Sequence, residues 1–204
     1  MKYMNRKEVL ALAKKTIQIE AEGVATLLDQ IRDSFYDAVN LMYTCEGHVL
    51  VAGAGTSHSV ARRLAHLLSC CGTPALLIDV GDSRHGLSGA IREKDVLIAL
   101  SKGGQTQEII SLVRVAKERG AKVISITEQP KSELGRESDV VLHVVAPVGV
   151  DPFGMVATGS SLVNSALGDA LCVVLLQMRG YSIEQFGKTH PGGAVGKKIE
   201  EMEK

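Results

Sequence analysis

Neither sign of charge is in excess in this chain: 23 Lys and Arg face 23 Asp and Glu over 204 residues. No global attraction to nucleic acid or to an anionic lipid surface follows, although a local anion site remains open. Cysteine is scarce. Cys45, Cys70, Cys71 and Cys172 form no C-x-x-C pair, and no basic-then-apolar leader precedes the first helical pattern. A cytoplasmic protein with mostly buried free thiols is therefore expected rather than a disulfide scaffold. No continuous apolar run reaches the roughly 20 residues that cross a bilayer, so no membrane partner is expected. The six histidines lack an H-E-x-x-H pattern and the cysteines lack zinc-ribbon spacing, which gives no basis for a metal centre.

What the chain does have is apolar content, 45% of its residues. Area scaling gives a folded surface of about 9,200 Å² against about 31,500 Å² unfolded, enough burial for one substantial core. A single domain over 1–204, without C-terminal regulatory modules, is the expected organisation. Residues 5–44 read as helical, with Val9, Leu12, Ala13, Ile17, Ala21, Val24, Leu27, Leu28, Ile31 and Phe35 on an apolar stripe that Gly23 could divide. From His48 the rhythm changes. Apolar runs at 48–52, 75–78, 96–100, 122–126 and 140–144 are five strand candidates, and their near-continuous apolar character suits a parallel sheet covered on both faces. Helical stretches at 57–70 and 105–119 alternate with them, and shorter elements could occupy 83–91 and 131–137. A long helix follows over about 154–178, interrupted by Asn164, Gly168 and Asp169, and reads as a core or subunit-interface helix too polar for lipid. The five prolines fall outside these elements. The fold class is α/β: an open three-layer sandwich around a five-stranded parallel sheet, with N-terminal helices and a long C-terminal helix.

Two loops carry anion chemistry. Val51-Ala52-Gly53-Ala54-Gly55-Thr56-Ser57-His58 ends the first strand and opens a helix whose N–H groups and positive end face an anion. It lacks the third glycine of G-x-G-x-x-G and the G-K-[ST] ending of a Walker loop. Ser101-Lys102-Gly103-Gly104-Gln105-Thr106 repeats the device after the third strand. Ser101, Thr106 and backbone amides could surround phosphate there, with Lys102 adding a positive charge. Each loop alone reads equally as a turn and helix cap. Together, at the carboxyl ends of neighbouring parallel strands, they point to a compact phosphorylated metabolite ahead of a nucleotide. His85, in Gly81-Asp82-Ser83-Arg84-His85-Gly86, and His190, in Thr189-His190-Pro191-Gly192-Gly193, are candidates for proton transfer or for capping turns. Asp151, before Pro152, is a candidate carboxylate or a turn cap. Asp169 suits an interface hydrogen bond. No G-x-S-x-G elbow supports a serine nucleophile.

In their order and placement these segments, with Ala157-Thr158-Gly159-Ser160-Ser161, Ala166-Leu167-Gly168-Asp169-Ala170 and His190-Pro191-Gly192-Gly193, resemble the sugar isomerase domain family, particularly its arabinose-5-phosphate isomerase branch, over about residues 8–197. The resemblance implies phosphosugar binding on a five-stranded parallel domain, assembly as a homodimer or homotetramer with a shared site, and aldose–ketose isomerisation without a cofactor. It carries over Ser57, Ser101 and Thr106 as phosphate ligands and His190 as a catalytic residue, within a substrate-binding set of Gly55, Thr56, Ser57, Ser101, Lys102, Gly103, Gln105 and Thr106. The chain departs from the branch where it has Thr56 for lysine, Gln105 for glutamate, Gly149 for a further glutamate and Gly103 for serine. A phosphosugar-binding or sensory protein without catalysis is the alternative that these departures leave.

Overall fold

The computed structural model describes residues 4–192 and Gly196. Gly193 of the His-Pro-Gly-Gly run lies outside them. Five strands, β1 (Val49–Gly53), β2 (Ala75–Leu77), β3 (Val96–Leu100), β4 (Lys122–Thr127) and β5 (Val140–His143), form one sheet in the order β2-β1-β3-β4-β5. Every neighbouring pair is parallel. The strand alternation sends side chains to two covered faces. Val49, Val51, Val96, Ile98, Leu100, Ile124 and Ile126 pack on one side, with α2 (Asp33–Tyr43), α3 (Thr56–Cys70) and α7 (Gly159–Arg179). Leu50, Ala52, Leu97, Ala99 and Val123 pack on the other, against α5 (Gln107–Glu118) and α6 (Glu133–Glu137). The helix faces match: Val60, Ala61, Leu64, Ala65 and Leu68 of α3, and Ile109, Leu112, Val113 and Ala116 of α5, are all buried at helical spacing. Each fully buried Val, Leu or Ile contributes about 1.5–3 kcal/mol.

Two expectations are corrected. The N-terminal region breaks at residues 26–32, between α1 (Arg6–Ala25) and α2, and not at Gly23. Gly23 is buried inside α1 where a Cβ would lie 3.0 Å from Val150 Cγ2, so it permits a close approach to the 147–150 loop. The long helix starts at Gly159 rather than 154, because Pro152–Gly154 forms a separate 3₁₀ turn in which Phe153 takes φ 57°. Asp169 accepts from both terminal guanidinium nitrogens of Arg63, at 2.5 and 3.0 Å, within its own chain. The sequence pattern also leaves out α8 (Ile183–Thr189), started by a Ser182/Gln185 capping box.

Two packing features remain. Helix α7 is more apolar than its polar interruptions suggest, with mean hydropathy 1.5 and the length of a membrane span, and 44% of that stretch is buried. Its Val163, Leu167, Leu171 and Leu175 lie in the core beside the sheet. The outer part of α1 is little covered among the described residues: Val9, Leu10, Leu12 and Ile17 are each half or more exposed.

Candidate active site

Strand order places the site. The chain leaves β1 towards β2 on one side and resumes at β3 on the other, so the β1–α3 and β3–α5 loops diverge from adjacent strand ends, the place where open α/β sheets bind ligands. The first loop turns at once into α3. A Cβ on Gly53 would collide with the Ser57 carbonyl, so glycine is required for this turn. Gly55 follows with φ 56° and open space where a Cβ would be. Thr56 is exposed and Ser57 half-buried at the start of α3, where no side chain caps the helix and no acidic residue occupies the first turn. An anion is favoured at such a terminus by about 0.3–1 kcal/mol or more.

The second loop is more tightly built. Ser101 is buried and its Oγ lies 3.0 Å from Thr106 Oγ1. That pairing leaves Thr106, the residue before α5, without a side-chain bond to its own helix. The Lys102 carbonyl accepts from Thr127 Oγ1 at 3.1 Å and Glu128 N at 3.0 Å, which ties the loop to the end of β4. Gly103 and Gln105 are exposed, and a side chain at Gly103 would meet nothing within 4 Å.

Lys102 reaches back over this edge. Its Nζ donates to Asp151 Oδ2 at 3.0 Å and lies 3.7 Å from Glu128 Oε1. Burial alone would lower the Lys102 pKa, but the Asp151 hydrogen bond and the Glu128 charge outweigh it and raise the pKa, so this group is a fixed cation. Asp151 is 5% exposed, and its Oδ1 accepts from Ser160 N at 2.9 Å in the first turn of α7. Burial pushes its pKa up. Ser160 and Lys102 push harder in the opposite direction and hold it below the usual carboxylate range. With both oxygens engaged, Asp151 is a holder of Lys102 and of the α7 start rather than a proton acceptor.

The other candidates lie apart. His85 is exposed in the turn after α4 (Val80–Ser83), and among the described residues no ion pair joins it to Asp82 or Arg84. His190 packs against Cys70, the last residue of α3, whereas Gly55, Thr56 and Ser57 stand at its beginning. The 15 residues of α3 span about 21 Å at 1.5 Å per residue. Within one chain, then, His190 does not meet the phosphate loops. Sequence reasoning missed Glu128, Asp79 and His58. Glu128 directly follows β4 on the ligand edge, which is the signal that could have found it. Asp79, after β2, caps α4 through Gly81 N and Asp82 N and lies 3.8 Å from His58 Nδ1.

Residues 42–174 match the SIS domain. The arabinose 5-phosphate isomerase KdsD of Salmonella typhi is 38% identical over 186 residues, covering 91% of this chain and 57% of that protein. Its namesake in Pseudomonas aeruginosa is 37% identical over 187 residues, with 92% and 57% covered. The chain thus spans little more than half the length of these curated relatives. Among solved structures, a Listeria monocytogenes protein provisionally assigned as a sugar-phosphate isomerase superposes with TM-score 0.90 at 34% identity, covering 93% of this chain and all of that one. The protein c3406 of E. coli CFT073, in complex with arabinose 5-phosphate, superposes with TM-score 0.88 at 28% identity, covering 92% and 100%.

Proposed function

The chain belongs to the SIS domain family, and we propose that it is a phosphosugar aldose–ketose isomerase of the arabinose 5-phosphate type, acting in a homo-oligomer in the cytoplasm. The observation that carries this is the placement of two glycine- and hydroxyl-bearing loops at the ends of adjacent strands: Ser57 stands in the first turn of α3, whose start has no side-chain cap, and Ser101 Oγ pairs with Thr106 Oγ1 before α5. The relatives named for arabinose 5-phosphate and the neighbour holding that sugar phosphate support phosphosugar as the ligand class. Four free thiols suit a reducing compartment.

In this reading the phosphate sits on Ser57, Ser101, Thr106 and the loop amides. The opened sugar extends towards Gln105 and Lys102, whose N–H groups and charge stabilise the oxygen of an enediol. A neutral imidazole removes the proton beside the carbonyl and returns it to the former carbonyl carbon, while the hydroxyl proton passes from one enediol oxygen to the other, so the reaction balances without a cofactor. His190 is that base, supplied by a neighbouring copy, because its own phosphate loops lie at the other end of α3. Assembly is supported by the exposed apolar side chains along α1, among them Leu12 and Ile17. A binding or sensory role is the second reading, favoured by Thr56, Gln105 and Gly149, none of which offers a titratable group.

Arabinose 5-phosphate, but not arabinose, is expected to raise the melting temperature. In D₂O, turnover should place deuterium on the carbon beside the carbonyl. The His190→Ala variant should keep phosphate-dependent binding and lose about 10²–10⁴-fold in exchange. Binding without exchange across pentose and hexose phosphates would favour the second reading.

A further inference from the structure

The far end of α3 carries a second group of reactive side chains. Cys70 Sγ lies 3.6 Å from His66 Nε2, one turn back on the same helix, and 3.5 Å from His190 Nε2 beyond α8. The His190 ring is held from its own side. It stacks on Phe186 with centroids 3.8 Å apart, and its Nδ1 lies 3.0 Å from the Phe186 carbonyl oxygen and 3.0 Å from Thr189 Oγ1. A carbonyl oxygen only accepts, so Nδ1 carries the hydrogen in that bond. In the neutral ring the Nε2 lone pair then faces the thiol. Thiol, imidazole and an orienting acceptor stand in sequence, which is the arrangement of an activated nucleophile. Among the described residues no three such side chains converge on a metal position, so the cluster is a thiol–imidazole pair rather than a metal cage.

The other thiols are placed differently. Burial pushes Cys45 and Cys71 up and Cys172 to about 12, which keeps all three protonated at neutral pH. Cys70 is half-buried, as are Cys45 and Cys71, so a small reagent has access to it and its imidazole neighbours are what set it apart.

We propose that Cys70 is a covalent modification site for soft carbon electrophiles, its proton passing to His190 Nε2 as the sulfur attacks. With iodoacetamide the S–C bond forms as the C–I bond breaks, iodide leaves with the bonding pair, and the imidazolium releases the thiol proton to water. The adduct then stands between His66 and His190 and removes the thiol contact from Nε2. This assignment uses none of the strand-end loops but shares His190 with the isomerase reading; thiol labelling is read without turnover, so the two can fail separately.

The test is limiting iodoacetamide on the intact protein at pH 7, with each cysteine followed by fragment mass spectrometry. Cys70 should label at least about tenfold faster than Cys45, Cys71 and Cys172. The His190→Phe variant keeps a ring against Phe186 but has no base, and should slow Cys70 about tenfold while leaving the other three rates unchanged. His190→Gln gives the same comparison should the Phe variant melt early. Labelling of Cys70 no faster than Cys45, an unchanged Cys70 rate in both folded variants, or a rate lost only in His66→Phe would each overturn the proposal.

Discussion

At the scale of single residues, Asp151 does the most for the site without touching its chemistry. Asp151→Ala leaves the buried Ser160 N–H without an acceptor and frees Lys102, which should lower unfolding free energy by about 1–3 kcal/mol in urea titrations. Asp151→Asn keeps an acceptor oxygen and should lose less. The two variants also separate charge from hydrogen bonding. The Asp151 pKa is depressed in the fold, so its ionic contribution is fully present above the unfolded value of about 3.9 and is lost as pH falls through the lower folded one. The Lys102 pKa is raised, so its contribution is present below about 10.4 and disappears as pH rises through the folded value. The stability gap between wild type and Asp151→Asn should therefore be flat around neutrality and narrow towards pH 2. A gap independent of pH would mean that the Lys102 ion pair adds nothing. Gly103 is the opposite case. A Cβ there meets open space, so Gly103→Ser should stay within about 0.5 kcal/mol of wild type. Its hydroxyl, of the kind the resemblance leads one to expect, should tighten phosphosugar binding in calorimetry.

Among the elements, the start of α3 decides whether a phosphate site exists. Gly53 lets β1 turn directly under Ser57. In Gly53→Ala the new methyl meets backbone rather than a flexible side-chain end, so the helix start must shift. Phosphosugar affinity and melting temperature should fall together, whereas Thr56→Ala, at an exposed position, should leave the melting temperature nearly unchanged. Helix α7 shows how an apolar helix is absorbed into a core. Its Val163, Leu167, Leu171 and Leu175 join the face formed by α2, α3 and the sheet, and Asp169 is neutralised by Arg63 at its edge.

For the whole molecule, the open question is what meets the outer part of α1 and what brings His190 to a phosphate loop. The proposed assembly would answer both. Leu12→Glu with Ile17→Glu alters side chains that are 53% and 67% exposed, so the fold should survive with its circular dichroism unchanged. Light scattering should show a smaller particle, and isomerase turnover should fall while phosphosugar binding persists. A variant that stays assembled, or an active monomer, would remove the shared site and leave the base to be sought within one chain.

The order of residues alone located the five strands to within a residue or two, because a two-sided sheet core demands runs such as Val96–Leu100 that nothing else in a chain of this composition requires. It also marked both strand-to-helix loops at the sheet edge, since small residues between a strand and a helix are a local signal. Whatever depends on long-range placement came from the folded chain. Lys102 meets Glu128 and Asp151 only because β4 lies beside β3 and the 147–150 loop packs on Gly23. The start of α7 followed Asp151 and Pro152 rather than the apolar pattern reaching back to 154. His190 was legible as an imidazole in a glycine-rich turn, but its distance from the phosphate loops came from the direction and length of α3, and no spacing along the chain encodes which end of a helix a distant segment will meet.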